Sequence, residues 1–231
     1  MKLLVISDLH AHTDVLDKMK DQFEQADAVL FAGDFAEPFK PETGKPALER
    51  LCSMHDTIFA VLGNCDNIDF LEALEDQDIC VEKTLVFHEG LAISGAGGGT
   101  VFTGKTEFER TEEEILSDFD IVKNSVEQSG DSSLWQNLIL ICHNPPVGDK
   151  CDSFDGEHHA GSQKFTDYII ENKPLAVITG HIHEGANIEK IGDTLVINPG
   201  SLGENGKYAW LNISKDSSGN WKIDSAEAKS I

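Results

Sequence analysis

Six short runs of Val, Ile, Leu and Ala interrupt an otherwise polar chain, at residues 3–6, 28–32, 58–62, 138–142, 175–179 and 194–197. Apolar runs this short, without alternation, predict strands buried on both faces. Two of the stretches between runs have helical period instead. In 15–23, Val15, Leu16, Met19 and Phe23 fall at i, i+1, i+4 and i+8, and 165–170 has a similar pattern. Thr111-Glu112-Glu113-Glu114 has the form of a capping box, and Ile115, Phe119, Val122 and Val126 continue a helix from it on one face. Strands alternating with helices predict a layered α/β domain. In 81–94 and 208–223 apolar and polar residues mix at short spacing, and Ser217-Ser218-Gly219-Asn220 marks a turn, which predicts hairpins in a second sheet. The Pro-containing stretch 37–46 reads as an inserted loop.

Composition narrows this picture. A chain of 231 residues is long enough for a single domain, 1–231, with a large core. The net charge of −23, from 18 Lys and Arg against 41 Asp and Glu, lacks the basic footprint that nucleic acid or an anionic membrane requires, so neither is an expected partner. Five scattered cysteines, odd in number and without a CxxC pair, suggest no disulfide framework or zinc ribbon and fit a reducing cytoplasm. The first ten residues have too short an apolar run for a signal peptide, and no later stretch approaches a membrane span.

The chemistry lies where the apolar runs stop. Asp8-Leu9-His10 follows the first, Gly33-Asp34 the second, Gly63-Asn64-Cys65-Asp66 the third, His143 the fourth and Gly180-His181-Ile182-His183 the fifth. Ligands of open α/β sheets bind beyond the carboxyl ends of the strands, so these segments would converge on one spot. Residues two apart on an extended segment point the same way, which would pair Asp8 with His10 and His181 with His183. Carboxylate, imidazole and amide oxygen together suit divalent ions such as Mn, Fe, Zn, Co or Ni, and a shared aspartate can hold two of them about 3.5–4 Å apart. Asp34 is the candidate bridge. Two such ions would generate hydroxide at neutral pH and clamp the phosphoryl oxygens of a small phosphoester.

Together the five blocks resemble the calcineurin-like metallophosphoesterase superfamily, whose signature runs DxH, GD, GNH(D/E), H and GHxH, matched here from Asp8 to His183. The resemblance implies a four-layer α-β-β-α sandwich, two mixed sheets flanked by helices. It also implies one metal held by Asp8, His10, Asp34 and His183 and a second by Asp34, Asn64, His143 and His181. Asp66 would orient the site from behind these ligands, and Asp66, Asn64 and His143 are the residues on which catalysis is expected to turn. One block departs: Cys65 stands where the family has histidine, so the usual proton donor or phosphate contact is absent and esters with good leaving groups are favoured. This GNC form also resembles small prokaryotic phosphodiesterases of the superfamily, while Asn144-Pro145-Pro146, His159-Ala160-Gly161-Ser162 and Asn198-Pro199-Gly200-Ser201 resemble a compact prokaryotic branch of phosphoesterases whose function the resemblance does not fix. The expected activity is that of a phosphodiesterase, a phosphatase or both. The alternatives are a protein-binding scaffold on the same fold or a nuclease.

His12, Cys65, Lys105 and His159 are the candidate substrate contacts, with His12 and His159 also candidates for the missing acid. His55, His88 and His158 read as ordinary surface or core histidines. Residues 99–106 match the phosphate-loop pattern GxxxxGK(S/T), but the helix signal comes later, at Thr111, and Val101 and Phe102 put bulk where backbone should wrap phosphate. The segment reads better as a flexible loop over the metal crevice, from which Lys105 or Arg110 would reach substrate phosphate.

Overall fold

The computed structural model describes residues 1–102 and 104–231. The first apolar runs form β1 (Lys2–Ile6), β2 (Ala28–Phe31) and β3 (Ile58–Ala60), parallel neighbours in one sheet. The second sheet contains β4 (Val86–His88), β5 (Leu91–Ala96), β8 (Leu138–Cys142), β9 (Ala176–Ile178), β10 (Asn187–Ile191) and β11 (Thr194–Asn198), in the order β10-β11-β9-β8-β5-β4. Between β5 and β8 lie two short strands that pair with each other, β6 (Gly99–Thr100) and β7 (Glu109–Arg110). β12 (Lys207–Lys215) returns antiparallel to β1 and β13 (Trp221–Ser230) follows it, so the first sheet runs β13-β12-β1-β2-β3.

Side-chain alternation along β1 builds the layers. Leu3 and Val5 face the second sheet and pack with Ile93, Ile139, Ile141 and Ile178. Leu4 and Ile6 face the other way, onto Leu16, Met19, Phe23, Leu48 and Leu74 of the helices α1 (Asp14–Asp17), α2 (Lys20–Gln25), α3 (Gly44–Cys52) and α4 (Leu71–Asp76), and the loop between the first two. On the far side of the second sheet, Leu138, Leu140 and Val177 pack on Ile115, Phe119, Val122, Phe165 and Ile169, from α5 (Glu112–Ser117), α6 (Asp120–Ser129), α7 (Gln163–Asn172) and the α5–α6 junction. A last short helix, α8 (Leu202–Asn205), precedes β12. The result is the α-β-β-α sandwich of two mixed sheets that the motif resemblance implies.

Several local expectations change. The 15–23 helix is two short helices, and the capping box at Thr111 forms, but its helix breaks at Asp118 and Phe119 before α6. The 208–223 hairpin forms in the first sheet, beside β1. Ala209 and Leu211 join the core between the sheets while Tyr208 and Trp210 join the helix-side core, so β12 has apolar residues on both faces where it lies next to β1. The stretch 37–46 is only partly loop. α3 starts at Gly44 and holds Pro46 in its first turn, where the missing N–H costs no helical bond.

Candidate metal centre

Asp8 and His10 follow β1, Asp34 follows β2, Asn64 follows β3, His143 follows β8, and His181 and His183 follow β9. The carboxyl edges of both sheets therefore contribute. Leaving a strand this abruptly forces left-handed backbone: φ is 55° at Asp8, 46° at His10, 58° at Ala11, 62° at Asp34 and 68° at His181. Non-glycine residues in this region are costly, by about 1–3 kcal/mol each, and such strain concentrates at functional sites. The expected extended geometry is thus replaced by turns. Asp8 and His10 still meet, but His181 and His183 go to different neighbours.

One group gathers around Asp8. Its Oδ1 lies 3.2 Å from His183 Nε2 and 3.8 Å from His10 Nε2, and the two imidazole nitrogens are 3.2 Å apart. A second group gathers around His143, whose Nε2 is 3.0 Å from Asn64 Oδ1. The His181 ring stands 5.2 Å from that of His143, centroid to centroid, and the His181 amide donates to both Asp8 oxygens at 3.2 Å. Asp34 joins the groups: its Oδ2 is 3.7 Å from His10 Nε2 and 3.5 Å from His143 Nε2.

The outer nitrogen of three rings is already committed. His10 Nδ1–H donates to Ala36 O at 2.9 Å, His143 Nδ1–H to Ala32 O at 2.6 Å and His183 Nδ1–H to Glu204 Oε2 at 3.1 Å. In a neutral ring each Nε2 is then a lone pair aimed at the carboxylates of Asp8 and Asp34, an arrangement that demands positive charge between the groups. Without a metal the rings themselves supply it. Burial would lower the pKa of His143 and His183, but the charges of Asp34 and Asp8 outweigh it and raise both to about 9. Burial also opposes ionisation of Asp34, yet His143 holds its carboxyl well below the usual range. His181 is pushed down to about 4 by burial and by His143. This donor set fits divalent cations of intermediate hardness.

Asp66 is buried behind the candidate donors and accepts four backbone N–H groups, from Asp34 (3.1 Å), Phe35 (3.2 Å), Ala36 (2.8 Å) and Gly63 (2.8 Å). It fixes the Asp34 turn, although burial and the Asp34 charge push its own pKa up to about 7. Gly63 allows this close approach: a Cβ there would lie 1.9 Å from Asp34 Oδ1. Cys65 donates its N–H to Asp34 Oδ1 at 2.8 Å, and its buried sulfur lies within 4.8 Å of ligand atoms of both His10 and Asp34. Burial pushes the thiol up, away from ionisation.

The other candidate contacts are more scattered. His12 is exposed, with Nδ1 bonded to Gly203 O at 3.1 Å. His159 stands outside the donor groups and is held by the fully buried Asp152, Nδ1 to Oδ1 at 2.9 Å. Lys105 is exposed on the 99–110 segment. Arg110 is engaged elsewhere, in a two-pronged pair with Asp118 at 2.6 and 2.8 Å and a bond to Gly97 O, so it is not free to reach phosphate. Sequence reading missed Glu204, which orients His183. Its signal was Ser201-x-x-Glu204, a helix-start pattern in which Ser201 caps the Glu204 N–H while the carboxylate turns to the histidine.

A model of the calcineurin-like phosphoesterase superfamily domain matches residues 1–216. The uncharacterized protein MJ1162 of Methanocaldococcus jannaschii is 30% identical over 206 residues, covering 86% of this chain and 88% of that one. The crystal structure of TT1561 of Thermus thermophilus superposes with a TM-score of 0.72 at 18% identity, over 99% of this chain and 98% of that one. The structure of a novel archaeal phosphodiesterase superposes over the full length of both chains, with a TM-score of 0.52 at 19% identity. These structural likenesses establish the fold. With the family match over nearly the whole chain and ligand-type residues at the matching strand ends, the chain belongs to the calcineurin-like phosphoesterase superfamily.

Proposed function

We propose that this chain, acting as a single domain, is a two-metal phosphoester hydrolase that cleaves phosphodiesters, phosphomonoesters or both. The observation that carries the reading is Asp34 Oδ2, placed 3.5–3.7 Å from an imidazole nitrogen of each donor group. Asp8, His10, His183 and Asp34 would hold one ion, and Asp34, Asn64, His143 and His181 the other. When bound, such ions supply a hydroxide nucleophile at neutral pH and neutralise charge on the phosphoryl oxygens.

The protein's own groups then set geometry. Asp66 keeps the Asp34 turn closed, and Ala32, Ala36 and Glu204 fix the ring orientations of His143, His10 and His183. Burial limits water around the reacting groups, since Asp8 and His143 are wholly buried. The archaeal phosphodiesterase and a putative 5'-nucleotidase from Staphylococcus aureus, of which this chain spans about half, share the fold, and their activities support a small phosphoester substrate here. Among the described residues no helix is long and apolar enough to cross a membrane.

The test is to reconstitute the protein with Mn, Fe, Co, Ni or Zn in turn and assay an aryl phosphodiester beside the matching monoester. At least one ester is expected to turn over, and Asp34→Asn to lower kcat by at least roughly 100-fold. Failure to cleave either ester with every metal would remove the hydrolase reading.

A further inference from the structure

The phosphate-loop pattern at 99–106 does surround an anion, but that anion belongs to the chain. The Glu109 carboxylate accepts N–H groups from Phe102 (3.0 Å), Gly104 (2.8 Å), Lys105 (3.2 Å) and Thr106 (3.3 Å), and the Thr106 hydroxyl at 2.9 Å. Thr103 of the pattern lies outside the described residues. Despite some desolvation, the Gly104 and Phe102 amides hold the carboxyl down to about 2, so it stays charged in its clasp. The clasp takes up the Phe102, Gly104, Lys105 and Thr106 amides, so these four have no role in binding a nucleotide.

Both ends of this segment rest on the metal centre. Phe108 N–H donates to Asn64 O at 3.0 Å, and a Cβ on Gly99 would lie 3.1 Å from Asn64 Cβ and 3.5 Å from His181 Cε1. The Thr100 amide and hydroxyl donate to Asn144 Oδ1 at 2.8 and 3.0 Å, and Asn144 follows His143 directly. Next along the chain come Val101, 62% exposed, and Phe102, 86% exposed. A nearly bare phenyl ring thus stands two to three residues from contacts with Asn64, Asn144 and His181, on a segment braced at both ends. Core packing does not account for its apolar surface, and a flat ring in this setting is suited to stack on another.

We propose that residues 99–102 and 104–110 form a specificity arm, in which Phe102 packs against an aryl or nucleobase ring of the phosphoester at the metal centre and Glu109 is the positioning residue. The proposal rests on the phosphoester reading above and specifies its substrate class.

Two phosphonates with the same anionic head, phenylphosphonate and methylphosphonate, separate the ring from the phosphoryl group. Their dissociation constants are to be measured by calorimetry on the Mn-loaded full chain. The native protein should prefer phenylphosphonate. Phe102→Ala and Glu109→Ala should each reduce the phenyl-to-methyl preference roughly 3- to 10-fold, the range of aromatic pairing, and Phe102→Tyr should retain it. A preference unchanged in Phe102→Ala, with both compounds still bound, overturns the arm and leaves the metal-site reading standing. If neither compound binds the native protein, the site reading fails and takes the arm with it.

Discussion

Glu204 sits within a four-residue helix, half exposed, and reaches the site through a 3.1 Å bond to the outer nitrogen of His183. Removing such a partner frees the ring to rotate and typically costs 10- to 100-fold in metal affinity. Glu204→Ala is therefore expected to weaken metal binding about 10-fold or more without loss of fold, measured by competition with a chelator and by circular dichroism. Cys65 is a different case, a buried thiol beside the donor groups that stands where the family signature has histidine. Its thiol is pushed toward the neutral form, so it is poorly suited to protonate a departing alkoxide. Cys65→His is expected to raise kcat on alkyl esters relative to aryl esters, toward the roughly 10²–10⁴-fold that a general acid contributes. An unchanged ratio would show that another group already supplies the proton. The sequence made the ligand types and their order readable, because Asp, His and Asn at strand ends are unusual together. The carbonyls of Ala32 and Ala36, which orient His143 and His10, were invisible to it, since every residue has a carbonyl and only the tertiary fold selects two.

Among the elements, the buried strands were the most legible, since their apolar runs are too short for a buried helix and rich in Val and Ile. What the pattern did not convey was which sheet a hairpin joins. β12 has Ala209 and Leu211 on one face and Tyr208 and Trp210 on the other, a mixture that marks a strand with cores on both sides. Asp and His enter positive φ more readily than most residues, but the period alone does not show which of them will, so the left-handed turns after β1, β2 and β9 were not legible in the pattern. Glycine at the neighbouring turn marks a close approach instead. Gly63→Ala places a methyl where the Asp34 carboxylate lies, and overpacking of this kind costs about 1–3 kcal/mol. The expected result is a lower urea midpoint together with metal binding weakened beyond what the loss of stability explains. The phosphate-loop pattern misleads for a related reason: glycines and a threonine make an amide-lined hollow, and nothing in the pattern shows that Glu109 will fill it.

The whole molecule has a buried acid outside the candidate donor groups. Glu82 lies near the join of the two sheets, accepting the Leu62 N–H at 2.6 Å through Oε1, while Oε2 has no hydrogen-bond partner among the described residues. Burial, with Asp118 adding to it and Arg110 and Lys83 opposing, raises its pKa from 4.5 to about 7. The folded state therefore holds this proton more tightly than the unfolded chain. That contribution is fully present below about pH 4.5 and is lost as pH rises through about 7. Glu82→Gln keeps the Leu62 acceptor and removes the titration. Relative to the native protein it should gain stability between pH 5 and 8, by roughly 2–3 kcal/mol at the upper end, read as a Tm difference that grows with pH.

The Asp34 carboxylate arrives from the first sheet and the His143 ring from the second, and they stand 3.5 Å apart across the boundary between them. A pair of ions there would act as a rivet through two plates. Sliding one sheet past the other by an ångström would leave both sheets folded but would misalign the hole. Metal affinity would then serve as a strain gauge for the core between the sheets, registering a shift of Leu30 relative to Ile141, which share that core, before any spectroscopic probe of secondary structure responded.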